Sequence, residues 1–285
     1  MPRNNREQSA DADSPGASAP DAAGPARGNV LDRGVRLLRA FRPAEEALRL
    51  TELSRRTGLP KATVHRLAEQ LVELGLLQRA PAGFGLGIGL FELGELVPVK
   101  LRLREAALPF MQDLYEATHE TIHLGVRDGL DVIYADKIRG HAGIDTPSRV
   151  GGRLPLTCTG VGKVLLAWCG QDLIDEVLAQ PLPRLTAHSI TDPGRLADEL
   201  AQIRYSGVGY DRQEAAPGLS CVASPVLVHG QIVAALSISV PAHQLPPARL
   251  APAVRTAGLA LSRVLSRAGP PVLRPAGPPA SARRG

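Results

Sequence analysis

Apolar residues along this chain follow two rhythms. From position 29 to 118 they recur every three to four residues, the spacing of one buried helix face; from Glu120 onward they alternate or run together, as in strands. The first rhythm predicts a helix over 30–41 carrying Val30, Leu31, Val35, Leu37, Leu38 and Phe41. A short helix over 51–57 is stopped by Gly58, and Pro60 opens another, because a first turn has no N–H bond for proline to lose. That helix puts Val64, Leu67, Ala68, Leu71 and Val72 on one face and ends at Gly75. Residues 76–88 (LLQRAPAGFGLGI) read as a hairpin with a Pro/Gly tip, and 91–118 as a helical connector with Pro98 and Pro109 as breaks or starts. The second rhythm predicts strands at HLGVRD, DVIYADK, CVASPVLV and IVAALSISV, with turns at 128–129 and 229–230, and helices over 160–180, 193–206 and 247–267.

These elements describe an α+β chain of 285 residues, long enough for two cores. Residues 1–28 and 269–285 lack hydrophobic periodicity, are rich in Ala, Pro, Gly and Ser, and are expected to be disordered. No apolar run spans a bilayer and no signal peptide is present, so the expected location is cytoplasmic, without a membrane partner. The three cysteines, Cys158, Cys169 and Cys221, are odd in number and lack CxxC spacing, against a disulfide framework or zinc ribbon. The net charge of +5 is concentrated: 29–90 holds ten Arg and Lys against six acids, +4, while 91–267 is near neutral. A localised positive surface suits a polyanion such as DNA; a solvated charged face accounts equally for the charge alone.

Residues 50–77 (LTELSRRTGLPKATVHRLAEQLVELGLL) have helix-turn-helix form, two helices joined by a tight turn at Gly58. The outer face of the second helix carries Lys61, Ala62, Thr63, His65, Arg66 and Gln70, and the hairpin adds Arg79. These side chains suit phosphates and base edges in a major groove, with Lys61 to Thr63 nearest the bases. The hairpin stands where a wing belongs, although its tip, Ala80-Pro81-Ala82-Gly83-Phe84-Gly85, is apolar.

GVRLLRAF, LTELSRRTGLPKATVHRL and LGLLQRA together resemble the IclR family of bacterial transcription regulators. SRVGGRLPLTCTGVGKVLLA (148–167) is similar to that family's effector-domain signature. GVGYDRQEAAPGLSCVASPV (207–226) matches a further family pattern at Asp211, Glu214, Gly218, Cys221, Ala223 and Pro225. The resemblance runs over 29–267. It implies a winged helix-turn-helix over 29–90, a helical linker over 91–118, and over 119–268 an effector-binding domain with a mixed or antiparallel sheet and flanking helices, GAF/profilin-like. It implies an effector pocket lined by Leu154, Gly160, Val161, Asp211, Leu219, Cys221, Ser237 and Ser239. It also implies promoter or operator DNA and a small-molecule effector as partners, and self-association as dimer or tetramer. No cofactor or metal is expected, and repression and activation stay open.

The residues support the pocket independently. Gly160 and Val161 open an apolar helix whose first N–H groups favour an anion such as a carboxylate. Ser237 and Ser239, two apart on a strand, face one side. Asp211 could accept from a hydroxyl or an amine.

Two further motifs point elsewhere. His119-Glu120-Thr121-Ile122-His123 has the HExxH spacing of zinc peptidases, but falls where helix gives way to strand; there the two histidines would lie roughly 13 Å apart and could not share a metal. Gly160-Val161-Gly162-Lys163 is like part of a phosphate loop, yet Thr157 and Val164 stand where glycine and Ser/Thr are required. Cys221 has no activating base near it in sequence. No catalytic residue is assigned. The reading is a DNA-binding regulator at the nucleoid; the alternative is a small-molecule enzyme or non-DNA sensor on the same α+β domain.

Overall fold

In the computed structural model of the protein, residues 29–141, 146–243 and 247–268 are described, apart from the side chains of 98–102, 247 and 268. The segments expected to be disordered, 1–28 and 269–285, lie outside the described residues. The chain divides into two compact units, with the boundary between Gly94 and Glu95.

The first unit opens with α1 (Val30–Leu38). Asn29 accepts from the Asp32 backbone at 2.9 Å while Asp32 accepts from the Asn29 backbone at 3.0 Å, a reciprocal cap. The helix stops at Leu38, three residues short of the expected end. Beyond it Ala40 and Phe41 pack against the core from outside the helix. Next come α2 (Leu50–Thr57) and α3 (Lys61–Glu73). Between them Gly58 adopts φ 68°, a left-handed conformation that glycine enters without penalty. The Ser54 hydroxyl donates to the Leu59 carbonyl at 2.7 Å and closes the turn. Val64, Leu67, Ala68 and Leu71 form the buried face of α3 and meet Leu37, Leu53 and Leu59 in one core.

The wing is β1 (Leu77–Ala80) paired with β2 (Gly83–Leu86), followed by α4 (Gly89–Glu95). Its apolar tip has a structural cause. Phe84 turns inward into the same core, and its strand bridges Leu48. Gly83 lies so close to that neighbour that an added Cβ would stand 2.2 Å from the Leu48 carbonyl oxygen.

The second unit begins with α5 (Pro98–Thr118). Pro98 starts this helix, but Pro109 neither starts nor breaks one: it sits inside α5, where Leu103, Ala107, Met111 and Leu114 are buried in a core with the sheet and with α9 (Ala251–Ala268). Burial of that stripe outweighs the single hydrogen bond proline forfeits.

The sheet has six strands, each antiparallel to its neighbours, in the order β5-β4-β3-β8-β7-β6. They are β3 (Thr121–Asp128), β4 (Asp131–Ile138), β5 (Arg153–Pro155), β6 (Gly209–Arg212), β7 (Leu219–Val228) and β8 (Gln231–Pro241). Sequence periodicity missed β5 and β6, which at three and four residues are too short to show one. The predicted helix over 160–180 is two, α6 (Gly160–Ala167) and α7 (Gln171–Leu178), separated at Gly170; α8 (Pro193–Ser206) follows.

Each face of the sheet carries its own core. Ala234, Leu236, Ile238 and Val240 of β8 point to α5 and α9, while Ala235 belongs to the core under α6 and α8. On that second face the next positions are Ser237 and Ser239 rather than aliphatic residues, so the apolar core is interrupted beneath the start of α6. Among the described residues, no helix is long and apolar enough to cross a membrane.

Candidate functional site

Strand register lines up the polar residues under α6. Asp211 of β6 pairs with Cys221 of β7, Cys221 with Ser239 of β8, and Ser239 with Thr121 of β3. One step along, Ala223 pairs with Ser237, and Ser237 with His123. The start of α6 closes the hollow from above. Thr159 caps that helix, its hydroxyl accepting from the Gly162 N–H at 2.9 Å. Gly125 lets it lie close on the sheet, since an added Cβ there would stand 2.5 Å from Val161 Cγ1.

All eight residues expected in an effector pocket line this one hollow, together with His123, Tyr134, Pro147, Ser148, Thr159 and Ala215. The space between atoms is about 290 Å³, yet only about 10 Å³ at its centre is open, room for about one water. A larger occupant must push the lining side chains apart.

The polar groups of the hollow are mostly tied to one another. His123 contacts the Ser148 hydroxyl through Nε2 at 2.6 Å and the Ser239 hydroxyl through Nδ1 at 3.3 Å. Burial, and secondarily the charge of Lys137, lower His123 to about 3, so the ring is neutral at pH 7, with one nitrogen donating and one accepting. The Cys221 thiol lies 2.9 Å from the Ser239 hydroxyl. Burial and the nearby Asp211 push that thiol well up, which keeps it protonated and unfit as a nucleophile. Burial likewise pushes Tyr134 up. Asp211 is 1% exposed, and burial followed by the Glu214 charge pushes it up to about 7. Ser237 is the exception. It is 1% exposed and its hydroxyl has no hydrogen-bond partner among the described residues. An unmet buried hydroxyl costs about 1–3 kcal/mol, which an incoming polar ligand would recover.

Beside the hollow lies a buried ionic cluster. Lys163 is fully buried on α6, and its ammonium donates to both Glu214 oxygens at 2.7 and 2.9 Å and to Glu199 of α8 at 2.5 Å. Two motifs read separately in the sequence, GVGK and the Asp211–Glu214 pattern, therefore meet through one ion pair. Asp211 Oδ1 accepts from the Glu214 N–H at 2.6 Å, tying the pair to the hollow wall.

In the first unit, Lys61, Ala62, His65, Arg66 and Gln70 are exposed on the outer face of α3, with Thr63 half-buried. Lys61 and Arg66 form no ion pair among the described residues. Arg79 differs: its guanidinium holds Glu69 of α3 at 2.6 Å, and His65 approaches the same carboxylate at 3.7 Å. Arg55 and Arg56 are engaged with Glu52, and Arg56 also with Glu45, so part of the head's positive charge is spent internally.

The HExxH histidines occupy different environments. His119 ends α5 in a left-handed conformation, φ 56°, with its ring against Tyr115 and His141. His123 faces the hollow.

The family comparison decides between the open readings. Residues 30–81 match the IclR helix-turn-helix domain, and residues 97–263 match the domain described as bacterial transcriptional regulator IclR C-terminal. The chain belongs to the IclR family. It is 34% identical to the HTH-type transcriptional regulator XynR of Escherichia coli (strain K12), over 82% of this chain and 96% of that one. It is 30% identical to the transcriptional repressor IclR of the same organism, over 80% and 86%. Among solved structures, an IclR homolog from Microbacterium hydrocarbonoxydans in complex with 4-hydroxybenzoate superposes with a TM-score of 0.78 at 30% identity, over 85% of this chain and 100% of that one. This protein is thus an IclR-type transcriptional regulator, DNA-binding and effector-controlled, and the enzyme alternative finds no support.

The sequence reading missed His123, Tyr134 and Ser148. His123 carries a usable signal, two residues before Gly125 on an alternating strand, but it also completes the HExxH spacing. Ser148 lies in an irregular segment and leaves no periodic trace.

Proposed function

We propose that residues 29–90 read operator DNA, that 119–268 bind the effector with 91–118 joining them, and that the regulator acts at the nucleoid as a dimer or tetramer. The DNA contacts are Lys61, Ala62, Thr63, His65, Arg66, Gln70 and Arg79. The effector site is the hollow of Leu154, Gly160, Val161, Asp211, Leu219, Cys221, Ser237 and Ser239, widened by His123 and Tyr134. The effector is a small hydroxylated carboxylate, of the kind the Microbacterium homolog holds.

The observation that carries this reading is the buried, unpartnered hydroxyl of Ser237 opposite the N–H groups at the start of α6. Those N–H groups have no acceptor within the helix and favour an anion, with Asp211 beside them, while Ser237 offers a partner to a hydroxyl. Because the hollow is nearly filled, an effector binds an expanded arrangement better than the closed one, and this difference in affinity shifts the protein between states. A gel shift with the DNA upstream of the protein's own gene, with and without 4-hydroxybenzoate, benzoate or lactate, tests the reading. Retardation that one of these compounds alters is expected. Retardation that none alters, or that survives Lys61→Ala together with Arg66→Ala, contradicts it.

A further inference from the structure

The effector reading raises a question of charge inside the hollow. An anion seated on the N–H groups of Gly160 and Val161 lies beside Asp211: a Cβ placed on Gly160 would stand 3.2 Å from the Asp211 nitrogen and 3.6 Å from Asp211 Cβ. Asp211 is buried, and its Oδ1 already accepts from the N–H groups of Glu214 at 2.6 Å and Ala215 at 3.4 Å. Its Oδ2 has no hydrogen-bond partner among the described residues, and the side chain lines the hollow. Two carboxylates held this close in a buried site do not both stay ionised; one takes a proton and donates it to the other.

We propose that the effector enters as a carboxylate accompanied by one proton from solvent, which Asp211 holds and donates to the effector's carboxylate oxygen. This rests on the effector reading above and adds a regulator to it: the affinity of the pocket follows pH.

The groups facing Asp211 come from every element packed on it. His123 of β3 is lowered to about 3 and stays neutral between pH 6 and 8. Tyr134 of β4 and Cys221 of β7 are pushed up by burial and stay protonated. Lys163 of α6 is bonded to Glu214, whose carboxyl burial also raises, and to Glu199 of α8. Asp211, placed at about 7, is poised to change charge in that window. Above the pKa of the free protein, each unit of pH lowers affinity tenfold, so between pH 6 and pH 8 the loss is about tenfold.

Calorimetric titration of the full chain with 4-hydroxybenzoate, benzoate and lactate at pH 6 and pH 8 tests this, repeated at pH 8 in two buffers of different ionisation enthalpy. The tightest binder is expected to lose about tenfold in affinity and to take up close to one proton. Asp211→Asn keeps the acceptor for Glu214 and removes the charge, so it is expected to bind with one Kd at both pH values and no proton uptake. If that variant does not fold, proton uptake by the unaltered protein decides alone. Equal Kd at both pH values without proton uptake overturns the proposal and leaves the effector reading standing. Persistence of the tenfold loss in Asp211→Asn assigns the proton elsewhere and also overturns it. Binding of none of the three compounds at either pH overturns the carboxylate effector itself, and this inference with it.

Discussion

The outer face of α3 and the inner face of the β7–β8 pair are both polar, for opposite reasons. On α3, Lys61 and Arg66 are exposed and form no ion pair among the described residues, as suits an external polyanion. In the hollow, most polar atoms already have a partner within the protein, and among the described residues one hydroxyl, on Ser237, and one oxygen, on Asp211, await a ligand. The first surface works by long-range charge and responds to salt. The second works by filling and pairing in a buried space and responds to shape and protonation. A regulator needs both: a head that finds DNA over distance, and a pocket that accepts few compounds.

The contrast breaks hardest at Lys163. Lys163→Met leaves Glu214 charged and buried without its partner, which is expected to cost about 3–5 kcal/mol in urea unfolding. The double variant Lys163→Met, Glu214→Leu should recover much of that loss; a small effect of the single variant would mean that the cluster is hydrated and that the hollow wall is not dry. Next comes Arg66→Ala on the exposed face, expected to weaken operator binding by about 1–3 kcal/mol while leaving unfolding and effector affinity unchanged. Ser237→Ala should show opposite signs in two measurements. It removes an unmet hydroxyl, so stability holds or rises, while effector affinity falls by about 0.5–1.5 kcal/mol. A fall in both would mean the hydroxyl is satisfied in the free protein. The smallest effect belongs to Arg79→Ala: its pairing with Glu69 is exposed and contributes at most about 1 kcal/mol to stability. Because Arg79 must leave Glu69 to reach a phosphate, its loss should weaken DNA binding less than the loss of Arg66.

The two regions were also unequally legible in the sequence. The reading helix announced itself, because Gly58, Pro60 and the Val64–Leu67–Leu71 stripe are local signals on consecutive turns. The hollow did not. Its residues come from all six strands of the sheet, from α6 and from the segments between them, and strand register brings most of them together. Leu154, Gly160, Val161, Leu219 and Cys221 were named through family resemblance rather than periodicity. Ser237 and Ser239 could be placed on one side of a strand, but nothing local said that the side was buried. Lys163 stands in an incomplete phosphate-loop pattern, and its partner Glu214 lies in a separate motif fifty-one residues on, so no local signal joins them. The wing tip reads as apolar in the sequence, and the reason is not local: Phe84 belongs to the head's own core.

If the outer face of the head acts by charge, its hold on DNA must depend on salt. The affinity of the full chain for the duplex upstream of its own gene, at about 50 and about 200 mM salt, measures this. Affinity is expected to fall steeply between the two, with a slope shallower by about one in Lys61→Ala if that ammonium meets a phosphate. Equal affinity at both salts, with Lys61→Ala and Arg66→Ala indistinguishable from the unaltered protein, would contradict it.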